Sequence, residues 1–246
     1  MNTQKPTTSL KSDSSRRRHA SMMSRRRDML SCMTLRLALF SDQQHCANRA
    51  IDERLLRLIG VQAPLVGYVS SASDPDRTYF EACRERYAGM GVDLCCYVDE
   101  LNCGSEEVLN ELLACDAIHL SGGNTFSFLG WLQRSRLLYS LAAFARSGGV
   151  LIGVSAGAIL MTENVDSATL CGDVKDPSVL KQQGLALVPF SFWPHFDPLN
   201  STVSAEALAG LPSPIYACPD GSGLVVEGSS IERFGNPQVL EPRSMP

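Results

Sequence analysis

The run GVLIGVSAGAILM (Gly149–Met161) reads as a buried strand, a tight turn and the start of a helix. Its first residues are apolar or small, as a strand covered on both faces requires. The turn is GVSAG (Gly153–Gly157), a G-x-S-x-G sequence placed where a strand feeds a helix. In that setting the Ser155 hydroxyl stands at the carboxyl edge of the sheet, where open α/β folds bind their ligands. The N–H groups of the following helix point to the same place and suit a developing oxyanion. The N–H of Ala156 is the first expected donor. The pentapeptide alone is common, and a packing turn of small residues has the same composition. The strand-to-helix setting is what favours a nucleophile.

Strand and helix patterns alternate on the N-terminal side of this run. Strands are expected at TLRLALF (34–40), PLVGYVS (64–70), VDLCCYV (92–98) and AIHLSGG (117–123), and GVLIGVS (149–155) is the fifth. Helical spacing fills AIDERLLRLIG (50–60), Asp76 to Met90, a stretch capped by Ser105 and running to about Leu113, and Phe126 to Ser147 in two pieces. This alternation predicts an α/β fold: a mostly parallel sheet with helices on both faces. Beyond residue 185 the strand signals shorten to LALVPFSF, IYACP and GLVVEG. Tyr68, Tyr139 and the Leu-rich 137–141 stretch read as core.

The chain of 246 residues carries a formal charge of −4, unevenly spread. Residues 1–32 hold eight basic and two acidic side chains, which leaves −10 on the remaining 214. The acidic body argues against nucleic acid as a partner of the folded domain. The longest apolar stretch is broken by Gly and Ser and is too short to span a membrane. Residues 1–32, with two RRR runs and no periodicity, are expected to be a disordered basic extension of the 33–246 domain. A mitochondrial transit peptide and a nuclear-type basic signal are the alternatives. The nine cysteines form no C-x-x-C pair and no zinc spacing, so they are expected to be reduced and mostly buried in a cytoplasmic-type compartment. Cys95 and Cys96 are adjacent, which predicts that they face opposite sides of their strand.

A second glycine turn, Ser121-Gly122-Gly123-Asn124-Thr125, follows the fourth strand. Adjacent βα turns of a parallel sheet share one edge, so Gly122 and Gly123 can place N–H groups opposite Ser155. A phosphate-binding turn, or a simple helix cap by Asn124 or Thr125, is the plainer reading. A serine hydroxyl needs a neighbouring base, and imidazole is the natural one. Of the four histidines, His19 and His45 lie in polar stretches and His119 inside a strand, where a satisfied core residue is expected. His195 is flanked as PHFD. Asp197 would share its face in an extended segment and could orient the ring. Phe192 and Trp193 either line a pocket or pack.

SGGNTF (121–126), GVSAGA (153–158), PFSFWPHFD (189–197) and CPDG (218–221) occur in that order. Together they resemble the peptidase E family of serine peptidases, whose first known members are aspartyl dipeptidases, with cyanophycinases as more distant relatives. The resemblance covers roughly residues 33–235. It implies a class I glutamine amidotransferase-like fold with Ser in place of Cys. Carried over residue by residue, it implies Ser155 as nucleophile, His195 as general base and Asp220 as the acid that orients the base. Asp173 matches a further acidic position needed for activity. The implied reaction is hydrolysis of a short peptide or related amide through an acyl-enzyme, with no metal or organic cofactor. Aspartyl-specific members place an Arg after the catalytic His, yet here no Lys or Arg occurs between Lys181 and Arg233. Strict Asp-X specificity is therefore not expected unless Lys175, Lys181 or an Arg from elsewhere reaches the site. A non-catalytic binding module and a glutaminase-like amidotransferase subunit are the alternatives; oligomeric state is not legible.

Overall fold

Five buried strands run parallel: β1 (Arg36–Phe40), β2 (Leu65–Val69), β3 (Asp93–Val98), β4 (Ala117–Leu120) and β5 (Val150–Val154). The computed structural model describes residues 34–44, 46–179, 181–200 and 204–241. The extension expected over 1–32, and His45, lie outside these residues. Later in the chain come β6 (Ser191–Pro194), β7 (Ile215–Cys218), β8 (Gly223–Glu227), β9 (Ser230–Phe234) and β10 (Gln238–Leu240). The main sheet has seven strands in the order β3-β2-β4-β5-β1-β8-β9, with β8 antiparallel to both its neighbours. A second, three-stranded sheet has the order β10-β7-β6, with β6 and β7 parallel.

Period-two alternation divides the apolar side chains between two cores. Leu37, Leu39, Ile118, Leu120 and Leu151 join one cluster; Ala38, Phe40, Val66, Val150 and Ile152 join the other. The second face is covered by α1 (Arg49–Ile59) and α2 (Thr78–Gly89), through Ile51, Leu55, Phe80 and Tyr87. The first is covered by α3 (Glu106–Leu113), α4 (Thr125–Arg134), α5 (Leu137–Arg146) and the short α6 (Ala156–Ile159). Helices on both faces are what a parallel sheet needs to bury both sides.

Local chemistry sets the helix ends. Ser105 accepts from Val108 N at the start of α3, and Gly60 closes α1 in the left-handed region (φ 72°). The helical stretch expected in two pieces is α4 and α5, with Arg136 at φ 62° between them. Tyr139 is not core: it is 75% exposed on α5, whose Leu137, Leu138 and Leu141 point inward. Nor do Cys95 and Cys96 part to opposite faces. A register shift in the β2–β3 pairing, between Val66 and Gly67, turns both toward the same cluster. Of LALVPFSF only the end enters a strand, and β9 was not expected because SIERF alternates weakly at an edge.

Gly153 is required by close approach. A Cβ there would lie 2.5 Å from Gly157 O and 2.6 Å from Ala158 N, both backbone. Gly153→Ala is therefore expected to destabilise the protein by about 2 kcal/mol or more. A lowered urea midpoint with an unchanged m-value would show it; an unchanged midpoint would contradict it.

Candidate active site

Ser155 sits between β5 and α6 with φ 50° and ψ −108°, a conformation that side-chain-bearing residues rarely adopt. The fold over-determines it. Ser155 N donates to Phe40 O at 2.9 Å, and the Ser155 carbonyl accepts from Ala158 N and Ile159 N at 2.9 and 3.0 Å. Gly157 N donates to Ser121 O at 3.1 Å. The half-buried hydroxyl is thus aimed away from the sheet at its carboxyl edge.

β6 and β7 bring the other two groups. Pro194 pairs with Cys218, so the residues that follow each strand emerge side by side. His195 Nε2 lies 2.9 Å from Ser155 Oγ, and His195 Nδ1 lies 2.6 Å from Asp220 Oδ1. Asp197, the alternative orienting acid, instead accepts from Leu199 N and Asn200 Nδ2 within its own loop, and these bonds hold its carboxyl below the usual range. Trp193 and Phe196 stack edge-to-face at 4.8 Å and pack against Leu211 and Ile215. Phe192 is buried in the main core.

The glycine turn lies where adjacency in the sheet places it. A Cβ on Gly122 would stand 3.7 Å from the Ser155 Cβ. Among the described residues the N–H groups of Gly122, Gly123 and Ala156 donate to no protein acceptor. Asp173 does not reach His195. Its Oδ2 accepts from Thr125 N at 2.8 Å and its Oδ1 from Asn124 Nδ2 at 3.2 Å, so it holds the turn that carries Gly122 and Gly123. Lys175 is bonded to Asp166 and Gln182. Among the described residues no group of three or more His, Cys, Asp or Glu is arranged to hold a metal ion, and no helix is long and apolar enough to cross a membrane.

Sequence reasoning missed Ser41, which follows β1 and is fully buried. Its hydroxyl accepts from His195 N at 2.8 Å and shares its one proton between Cys218 O (2.9 Å) and Asp220 Oδ1 (3.2 Å). Beside it, Asp42 Oδ1 accepts from Gly221 N at 2.7 Å. No motif marks these residues. Only the pairing of Phe40 with Val154 would have shown that the end of β1 adjoins Ser155.

The model of peptidase family S51 matches residues 37–234. The chain belongs to that family. It is 30% identical over 180 residues to "Peptidase E" of Streptomyces coelicolor, covering 69% of each chain. An uncharacterized peptidase of Listeria monocytogenes is 29% identical over 183 residues, 70% of this chain and 86% of its own. The "Cyanophycinase" of Synechococcus elongatus is 27% identical over 199 residues, 74% and 60% of the two chains. Among solved structures, a peptidase from an acI-B1 Actinobacterium superposes with a TM-score of 0.64 over 86% of this chain and 96% of that one, at 15% identity. The S51 protein is thus a serine peptidase with the expected glutamine amidotransferase-like α/β architecture.

A cavity of about 810 Å³ opens beside the glycine turn, lined in part by Tyr68, Asp74, Arg86, His119, Gly122 and Val154; Ser155 and His195 are not part of this lining, whereas Gly122 and Val154, which adjoin Ser155, are. His119 is 2% exposed, stacks on Tyr68 at 5.0 Å and meets Tyr87 Oη through Nδ1 at 3.1 Å. Burial first, and Arg86 nearby second, lower its pKa from 6.5 to about 3. The unfolded chain therefore binds one more proton than the folded one between these values. Stability is expected to fall as pH drops from about 6.5 toward about 3, by at most ~1.4 kcal/mol per pH unit from this residue. Urea midpoints between about pH 7 and pH 4 check this: His119→Gln should flatten the dependence relative to wild type.

Proposed function

We propose that this S51 peptidase cleaves short peptides by an acyl-enzyme mechanism in which Ser155 is the nucleophile, His195 the general base and Asp220 the orienting acid. The observation that carries this reading is the unbroken line Ser155 Oγ–His195 Nε2, 2.9 Å, then His195 Nδ1–Asp220 Oδ1, 2.6 Å. His195 takes the proton of Ser155 as its oxygen attacks the amide carbonyl. The tetrahedral oxyanion is met by Ala156 N–H and by Gly122 or Gly123 N–H. His195 then returns the proton to the departing amine. A water activated by the same ring releases the acyl group and restores the Ser155 hydroxyl. Asp220 fixes the ring with Nδ1 protonated and steadies the imidazolium. Ser41 positions base and acid together, because its one hydroxyl bonds both segments.

The series Ser155→Ala, His195→Ala, Asp220→Asn and Ser41→Ala tests this on a short-peptide panel and with a fluorophosphonate probe. The first two are expected to lose on the order of 10⁶ in kcat, and Asp220→Asn on the order of 10⁴. Ser41→Ala should lose about 10- to 100-fold, in kcat more than KM. The probe should label Ser155 in wild type and nothing in Ser155→Ala. Full activity in Ser155→Ala would end this reading.

A further inference from the structure

The chemistry at Ser155 leaves one group at the adjoining cavity without a task. His119 Nε2 has no hydrogen-bond partner among the described residues, although the residue is 98% buried and lines the cavity. Its protonation follows from its neighbours. Burial keeps the imidazole uncharged at neutral pH and pushes the Tyr87 phenol well above its ordinary range, so the phenol keeps its proton. Gln43 Nε2 can only donate, and it lies 3.5 Å from Tyr87 Oη. The buried phenol needs an acceptor for its own hydrogen, and His119 Nδ1 at 3.1 Å is the one in reach, so the phenol donates to it. The hydrogen of the neutral ring is then on Nε2. That N–H opens on the cavity rather than on closed protein, so it is a donor within a ligand's reach.

The charges around it select the ligand. Arg86, the cation of the lining, is bonded to Asp52 at 2.5 Å, so its charge is matched. Its Nε is also buried without a partner. Asp74 lines the same cavity; its carboxylate accepts from Thr78 N and Tyr79 N. Arg86 Nε is closed off from the cavity, which therefore presents the His119 Nε2 donor, no uncompensated positive charge and one carboxylate. An acidic side chain would enter against Asp74. An aliphatic one would cover the His119 N–H and leave it unmet. An amide can accept at its carbonyl and donate from its NH₂.

We propose that this cavity is the side-chain specificity pocket of the peptidase, that it takes an uncharged amide of the Asn or Gln type, and that His119 is its specificity-determining residue, donating from Nε2 to the amide carbonyl. The assignment rests on the peptidase reading above. A volume of about 810 Å³ accommodates such a side chain together with part of the peptide backbone.

The test uses the full chain as wild type, His119→Phe and His119→Gln. Dipeptides carry Asn, Gln, Asp, Glu or Leu at either position opposite a constant Ala, and fluorophosphonate labelling of Ser155 reports the integrity of the site. In wild type, Asn or Gln at one position should exceed both the acids and Leu by about tenfold or more in kcat/KM. His119→Phe should erase that preference through KM while labelling proceeds at the wild-type rate. His119→Gln, which keeps an N–H donor, should retain most of it. A wild-type preference for Asp, Glu or Leu with normal labelling would overturn the pocket assignment and leave the peptidase reading standing, even if His119→Phe failed to fold. An amide preference that survives in labelled His119→Phe would overturn the role of His119. Absence of labelling and of hydrolysis in wild type would overturn the peptidase reading and this one with it.

Discussion

Backbone packed against backbone at the end of β5 governs everything around the site. Gly153 and Gly157 admit no side chain, because a Cβ on the first would strike the Gly157–Ala158 peptide and one on the second the Leu120 carbonyl. That proximity forces Ser155 into its rare backbone conformation, a cost on the order of 1–3 kcal/mol. The strain persists because the hydrogen bonds from Ser155 N to Phe40 O and from Gly157 N to Ser121 O tie three strand ends to one point. The buried sheet on either side cannot yield, since both of its faces are packed. A hydroxyl held this way loses little freedom when it meets a reactant, which is the structural form of preorganisation.

The same edge carries two further devices that act through neighbours. Asp173 fixes the first turn of α4 and thereby the glycines that face Ser155. Ser41 joins the backbone of His195 to the carboxylate of Asp220 from the end of β1. Neither touches the Ser155 hydroxyl. Both hold donors and acceptors to a fixed geometry in a site whose imidazole and carboxylate are open to solvent, with side-chain exposures of 43% and 54%.

The elements legible in the sequence were those whose local chemistry agrees with their tertiary role. The strand ending at Val154, the Ser105 cap and the glycine turn at Gly122 each carry local chemistry that agrees with the element they form. His195 and Asp220 were legible because the short motifs around them resemble a family, and spacing alone would not have separated Asp220 from Asp197. What escaped depended on contacts between distant segments. Ser41 is an ordinary polar residue until β1 is laid beside β5. Tyr139 read as core because its neighbours are leucines, and only the rotation of α5 shows that it faces outward. The bulge at Cys95–Cys96 needs the partner strand to be seen. His119 was legible as a buried histidine, but its free nitrogen is a property of Tyr87 and Gln43, thirty and more residues away.

The hydroxyl, imidazole and carboxylate of the proposed triad are divided between two sheets. Ser155 belongs to the seven-stranded sheet, whereas His195 and Asp220 both leave the parallel pair β6–β7 of the smaller one. The imidazole–carboxylate pair is therefore carried by a different sheet from the hydroxyl; Ser155 meets His195 directly, and Ser41 and Asp42 at the end of β1 fasten the His195 and Asp220 segments to the main sheet. An atom of different size or acidity could be mounted on the strained turn, and the imidazole–carboxylate unit would need no rebuilding to serve it. Such a division lets the residue on the turn change by a single codon while the imidazole–carboxylate pair keeps its own supports.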